Sequence, residues 1–209
     1  LYGAQTQRAI DNFPVSGQVM PEDFIRALVL IKSIAAKTNA KLNCLDKNIS
    51  DAIVSASSSL LEDSKLMSHF PLDVFQTGSG TSSNMNANEV IANLASEIAG
   101  QEVNPNDHVN FGQSSNDVIP TTIHVSAAMS SKRKLIPALE ALRDEIIQKA
   151  DSIKGYSKTG RTHLMDAMPI RMDQSLLSWA DQIDAGISGV DRALTYVCTL
   201  GLGGTAVGT

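Results

Sequence analysis

Three stretches of this chain carry side chains that could do chemistry together. Asn104 to Asp117 holds four Asn, two Asp, two Ser, a Gln and a His, with only three apolar side chains. No helical or strand period runs through it, so it reads as loop. Its short hydrogen-bonding side chains lose little freedom when fixed, which suits a pocket that grips a small polar ligand with converging donors. The same residue types also make ordinary turns, so the stretch gains meaning only beside the others. From Gln76 to Glu89 a second polar run contains Gly78 and Gly80, which let backbone approach a ligand closely, and it feeds a helix. Hydroxyls and free amides at a helix N-terminus attract carboxylates; a simple Ser or Asn cap needs fewer such residues. No Gly-Lys-Ser/Thr follows, which argues against a nucleotide. The third run, Lys158 to Pro169, places Thr162 and His163 beside Arg161. Histidine titrates in the range that suits proton transfer near neutral pH. Read blandly, this run is an exposed connector with a solvated Arg161–Asp166 pair.

The elements that must position these groups read as helices. Pro21-Glu22-Asp23 opens one, with proline in the first turn and acids at the positive end of the dipole. Phe24, Leu28, Ile31, Ala35, Thr38 and Leu42 follow at helical spacing, and Ile49, Ile53, Ala56 and Leu60 repeat the pattern after a turn at 43–46. Val90, Ile91, Leu94, Ala95 and Ile98 mark a third helix, closed by Gly100. Pro120 begins a long pattern whose buried face is expected at Ile123, Ala127, Leu135, Leu139, Leu142, Ile146 and Ile153, with Pro137 kinking or breaking it. The run before Pro169 is expected to be extended. Leu176, Ala180, Ile183, Ile187, Val190, Leu194 and Val197 form the most regular stripe, whose mean spacing suits near-parallel partner helices. The spacing predicts helices near 21–43, 47–67, 84–99, 119–153 and 173–200, in an all-α fold. Leu1 to Gly17 shows no long period and reads as irregular. The long seams at 123–153 and 176–197 predict oligomerisation through helices.

At 43% hydrophobic and 4% aromatic, the 209-residue chain has an aliphatic, alanine-rich core. A net charge of −5 without a basic stripe argues against nucleic acid. Cys44 and Cys198 lack metal-ligand or redox spacing and read as thiols in a reducing compartment. No apolar run is long enough to cross a membrane, and no signal peptide is visible. No cluster of Cys, His and carboxylate has ligand spacing, so neither a metal nor another cofactor is expected. Both ends look cut, so the chain reads as a fragment.

Taken together, Gly78-Ser79-Gly80-Thr81-Ser82-Ser83-Asn84-Met85-Asn86, Gln113-Ser114-Ser115-Asn116-Asp117 and Gly160-Arg161-Thr162-His163 resemble the class II fumarase/aspartase family, in that order. Tyr2-Gly3-Ala4-Gln5-Thr6-Gln7-Arg8 and Gly203-Gly204-Thr205-Ala206-Val207-Gly208-Thr209 are similar to further segments of that family, so the resemblance covers nearly the whole chain. It implies a helical N-terminal domain over 1–111 and the first part of a long-helix central domain over 112–209. It also implies a homotetramer joined through the central helices, a small dicarboxylate substrate (fumarate or malate), and a cytoplasmic location, or the mitochondrial matrix in a eukaryote. By the same resemblance Ser79, Gly80 and Thr81 bind a substrate carboxylate. Ser114, Ser115 and Asn116 hold the substrate and its developing charge, Thr162 binds carboxylate, and His163 is the general acid/base that handles the water oxygen.

Two departures from the family pattern stand out. The family's signature loop, which carries the serine thought to take the carbon-bound proton, lies beyond Thr209, and the fragment alone is expected to be inactive. Asn104 stands where fumarases place His in a secondary carboxylate site, here Asn104, Pro105, Asn106 and Asp107. Ser79, Ser115 and Gly204 match the hydratase version of the motifs and imply fumarate hydratase. Aspartate ammonia-lyase is the alternative reading, and a non-catalytic helical interaction module is the second.

Overall fold

The structure, a computed structural model, describes residues 1–208. It divides into two compact units, Leu1–Ser126 together with the segment from Leu200 onward, and Ala127–Thr199. The helical class expected from the apolar spacing is what is found, with one small hairpin as the only sheet among the described residues.

In the first unit α2 (Glu22–Lys41) and α3 (Lys47–Glu62) form the expected helical hairpin, and α4 (Thr81–Ala99) packs on them. Asp46 caps α3 by accepting from the amides of Asn48 and Ile49. Gly100 ends α4 in the left-handed region, its amide returning to Ser96 O. Leu28, Val29, Ile53, Ala56, Val90, Ile91 and Val118 lie fully buried between these helices. Alanines at the contacts, among them Ala52, Ala87 and Ala95, let the helices approach closely. α3 stops at Glu62 rather than near 67, and a short 3-10 turn at Leu66–His69 follows.

Three sequence expectations need correction in this unit. Residues 4–12 are not irregular: Ala4–Asn12 is a helix, α1, packed on α4. Its N-terminus is held by the carboxylate of Glu89, which accepts from the amides of Gly3, Gln5 and Thr6. The stretch from Asn104 is not plain loop, because Pro105–Val109 makes a π-helical turn. Asn104 Oδ1 caps that turn, accepting from Asn106 N at 2.8 Å and Asp107 N at 3.0 Å. The next helix, α5 (Ser115–Ser130), starts earlier than residue 119. Ser114 Oγ accepts from the Asn116 amide and Asp117 Oδ1 accepts from the Ser114 amide, a reciprocal cap that fixes the first turn.

The second unit contains the end of α5, a π-helical turn over Ser131–Leu135, α6 (Ile136–Ser152) and α7 (Met172–Val197). Pro137 sits in the first turn of α6, so the expected disruption falls just ahead of the proline. Along α7 the regular stripe holds, with Ala180, Ile187 and Leu194 buried. Arg143 of α6 reaches Asp184 of α7 at 2.8 Å. The face expected to be buried on the preceding helices is instead open within one chain: Ile123 and Leu142 are each 52% exposed and Leu135 is 45% exposed. Between α6 and α7, β1 (Ser157–Thr162) pairs antiparallel with β2 (Met165–Arg171). The stretch expected to be extended is this hairpin. Gly160 allows it to close, because a Cβ there would lie 2.6 Å from Met168 O.

Candidate active site

In the first unit the two polar clusters meet. Gly78–Gly80 is a 3-10 turn in which both Ser79 and Gly80 are left-handed, with φ of 64° and 65°. Gly80 accepts this conformation freely, whereas Ser79 holds it at some cost, a form of strain that concentrates at functional turns. A Cβ on Gly80 would lie 3.1 Å from Ile119 of α5, so the turn sits directly against that helix. No side chain of Gly80 can cap α4; Gln76 Oε1 takes the Ser83 amide instead, at 2.8 Å. Asn84 joins the clusters, its Nδ2 donating to Ser115 Oγ and to Asn110 Oδ1, both at 3.2 Å.

Beneath this junction lies a buried lysine. Lys32 of α2 is completely buried, and its Nζ donates to Asn110 Oδ1 at 2.8 Å and Gln113 Oε1 at 3.0 Å. Burial pushes the Lys32 ammonium down to a pKa of about 7, opposed by the negative charge of Asp117. The buried Asp117 carboxylate is shared among three backbone amides. Its Oδ1 takes Ser114 N at 2.9 Å, and its Oδ2 takes Gly203 N at 3.1 Å and Thr205 N at 2.9 Å. Asn116 Nδ2 also reaches this last segment, at Ala206 O. The result is a helix N-terminus carrying Ser114, Ser115 and Asn116, backed by fixed amides and a buried ammonium, which suits a small carboxylate ligand.

The second unit presents Thr162 and His163 at the tip of the hairpin. Thr162 pairs with Met165, leaving His163 and Leu164 as a two-residue turn with φ of 50° and 61°. Turns of this kind favour Asn-Gly. Histidine tolerates the left-handed region better than most residues, whereas leucine does so poorly. Leu164 is 98% exposed, so no packing compensates it.

The whole of the chain, residues 1–209, matches the family model described as Lyase. The chain belongs to the lyase family. Within that family it is 57% identical over its full length to a protein named fumarate hydratase class II 2 from Pseudomonas aeruginosa, of which it spans 45%. It is 50% identical to a fumarate hydratase class II from Halobacterium salinarum, again spanning 45% of it. The crystal structure of a class II fumarase from Schistosoma mansoni superposes with a TM-score of 0.95 at 42% identity, covering 100% of this chain and 45% of that one. The chain thus spans about half the length of the relatives it matches. The resemblance read from the motifs is borne out.

In this lyase-family chain Ser79, Gly80, Thr81, Ser114, Ser115 and Asn116 all lie in the first unit, and Thr162 and His163 lie in the second. Asn104, Pro105, Asn106 and Asp107 form the capped π-helical turn, where the Asn104 amide also donates to His108 Nδ1 at 2.9 Å. Among the described residues no three His, Cys, Asp or Glu side chains converge as a metal-ligand set, and no helix is long and apolar enough to cross a membrane. Sequence reasoning missed Lys32, Asn84, Asn110 and Asp117 as parts of one network. Lys32 was detectable: it falls four residues from both Leu28 and Ala36, on the apolar face of α2.

Proposed function

We propose that the intact protein is a fumarate hydratase, adding water reversibly to fumarate to give (S)-malate. The observation that carries this reading is the bond from Asn84 Nδ2 to Ser115 Oγ, which draws two polar clusters 31 residues apart into one donor-rich surface at the start of α5. The names of the long, closely similar relatives support the same chemistry.

Addition of water to one alkene carbon builds negative charge on the carboxylate next to the other carbon. That charge is stabilised by fixed donors aimed where it accumulates, and neutral hydroxyls, amides and backbone N–H groups supply such donors without a metal. In this reading Ser79, Gly80 and Thr81 bind one carboxylate, as does Thr162. Ser114, Ser115 and Asn116 hold the substrate through the charged intermediate. His163 takes the proton of the attacking water, the signature-loop serine of the intact protein gives the proton that the other carbon gains, and both transfers run backward in the reverse direction. Asn104, Pro105, Asn106 and Asp107 correspond to a secondary carboxylate site. Each active site then combines groups from several chains of a homotetramer, which the exposed apolar side chains Leu142 and Trp179 of the second unit support. The functional domain boundary is placed at 111/112, and the location is cytoplasmic, or the mitochondrial matrix in a eukaryote.

The test is to give the intact protein malate and aspartate separately and follow fumarate by absorbance. Fumarate from malate is the expected result. Fumarate from aspartate alone replaces this reading with an ammonia-lyase, and fumarate from neither leaves a helical interaction module.

A further inference from the structure

We propose that Lys32 is a positioning residue, whose buried ammonium holds Asn110 and Gln113 so that the loop leading into α5 presents Ser114, Ser115 and Asn116 in one fixed arrangement. The inference rests on the hydratase reading for what those three residues do, but not for how Lys32 holds them.

Lys32 has no surface role, since its side chain is fully buried and its ammonium meets only side-chain oxygens of the loop. A lysine buried for packing alone is costly, because the interior disfavours the charge unless hydrogen bonds and counter-charge replace water. Here the replacement is specific. Asn110 Oδ1 accepts from both Lys32 Nζ at 2.8 Å and Asn84 Nδ2 at 3.2 Å, so one oxygen ties α2 to α4. The same Asn84 amide then donates to Ser115 Oγ, which continues the chain to the start of α5. Asn110 Nδ2 donates to Gln113 O, and Gln113 Nε2 donates to Val109 O and Phe111 O, so the loop's own amides are locked behind the ammonium. The negative charge of Asp117 acts on Lys32, and Asp117 anchors the far end of the same loop through Ser114 N. Each side chain in this path has little freedom left once the ammonium is in place. A neutral side chain of similar length at position 32 leaves Gln113 Oε1 without its donor and removes the charged donor from Asn110.

The experiment compares the intact protein with Lys32→Met, using hydrogen exchange and steady-state turnover of malate at a temperature well below unfolding. Gln113→Ala, which removes one acceptor without touching the ammonium, serves as a milder second variant. Ile53→Ala, a core truncation in α3 that touches none of the hydrogen bonds of the Lys32 network, is the control for general destabilisation. The expected result is at least tenfold faster exchange of amides across 109–118 in Lys32→Met with α3 amides unchanged, a smaller change in Gln113→Ala, and none in the loop for Ile53→Ala. In turnover, KM for malate rises about tenfold in Lys32→Met, the size of effect expected when about one net hydrogen bond to the substrate is lost, while Ile53→Ala lowers only the unfolding temperature. Unchanged loop exchange in both Lys32→Met and Gln113→Ala overturns the proposal. So does a KM in Lys32→Met equal to that of Ile53→Ala. A wild-type protein that exchanges as expected but leaves malate untouched refutes the hydratase reading and keeps Lys32 as the residue that orders the loop.

Discussion

The Thr6 hydroxyl donates to Glu89 Oε2 across 2.6 Å, and the Thr6 amide reaches the same oxygen at 3.1 Å. With Gly3 and Gln5 also donating to this carboxylate, Glu89 is the N-terminal cap of α1 supplied from α4. Acid at the positive end of a helix dipole adds to the hydrogen bonds. Glycine at position 3 lets the carboxylate come this close, because a Cβ there would lie 2.9 Å from the Glu89 carboxyl and push it off the amides. Glu89→Gln is expected to lower stability by about 1.5–3 kcal/mol, the range for hydrogen bonds to a charged group. Urea denaturation checks the loss, and early proteolysis within 1–12 checks that α1 is what comes free.

Asp117 should behave as a clasp. Asp117→Ala leaves the amides of Ser114, Gly203 and Thr205 without their acceptor and Lys32 without its counter-charge. A loss of about 3–5 kcal/mol is expected, as when one member of a buried charged network is removed. Thermal unfolding measures it. Equal stability of Asp117→Ala and wild type would show that the clasp is not closed in solution.

The buried ammonium predicts a pH dependence of stability. Lys32 ionises at about 7 in the folded chain against an ordinary value of 10.5, so between those values the unfolded chain binds more protons. Stability from this group therefore rises with pH over that window, and its full cost, of order a few kcal/mol, applies below pH 7. Lys32→Met is expected to flatten the rise relative to wild type. Denaturation midpoints collected between neutral and alkaline pH test it, and parallel curves for the two proteins would contradict it.

The hairpin tip predicts a division between stability and turnover. Leu164→Gly relieves a left-handed leucine and is expected to stabilise the chain by about 1 kcal/mol. His163→Asn keeps a residue that tolerates the same backbone, so the turn persists while the imidazole is lost. In the intact protein it is expected to lower turnover about 10²–10⁴-fold, the usual worth of a general acid/base. Unchanged turnover in His163→Asn would remove His163 from the mechanism.

What could be read from the sequence follows from where each stabilising partner sits. The stripe from Leu176 to Val197 needs only its own spacing, and α7 matches it closely. α1 was invisible because its cap, Glu89, lies 83 residues from Thr6. The start of α5 was masked by its own polarity: Ser114 and Asp117 look like loop residues but act as reciprocal caps. The exposed Ile123 and Leu142 show the converse, an apolar pattern that the described residues leave uncovered. The motifs located the candidate residues, whereas the Lys32 network behind them rests on contacts 78 and 81 residues apart that no local pattern records.

The bonds from Gly203 and Thr205 to Asp117 also set an order of events during synthesis. Asp117 emerges from the ribosome 86 residues before Gly203 and 88 before Thr205, with the whole second unit made in between. At roughly 5–20 residues per second that delay is on the order of ten seconds. The contacts of α2, α3 and α4 are closer in sequence and can form early. The Asp117 carboxylate, by contrast, must wait in the nascent chain with one oxygen lacking its native partners. The carboxylate group that completes the floor of the candidate site is therefore among the last native contacts of the first unit to close.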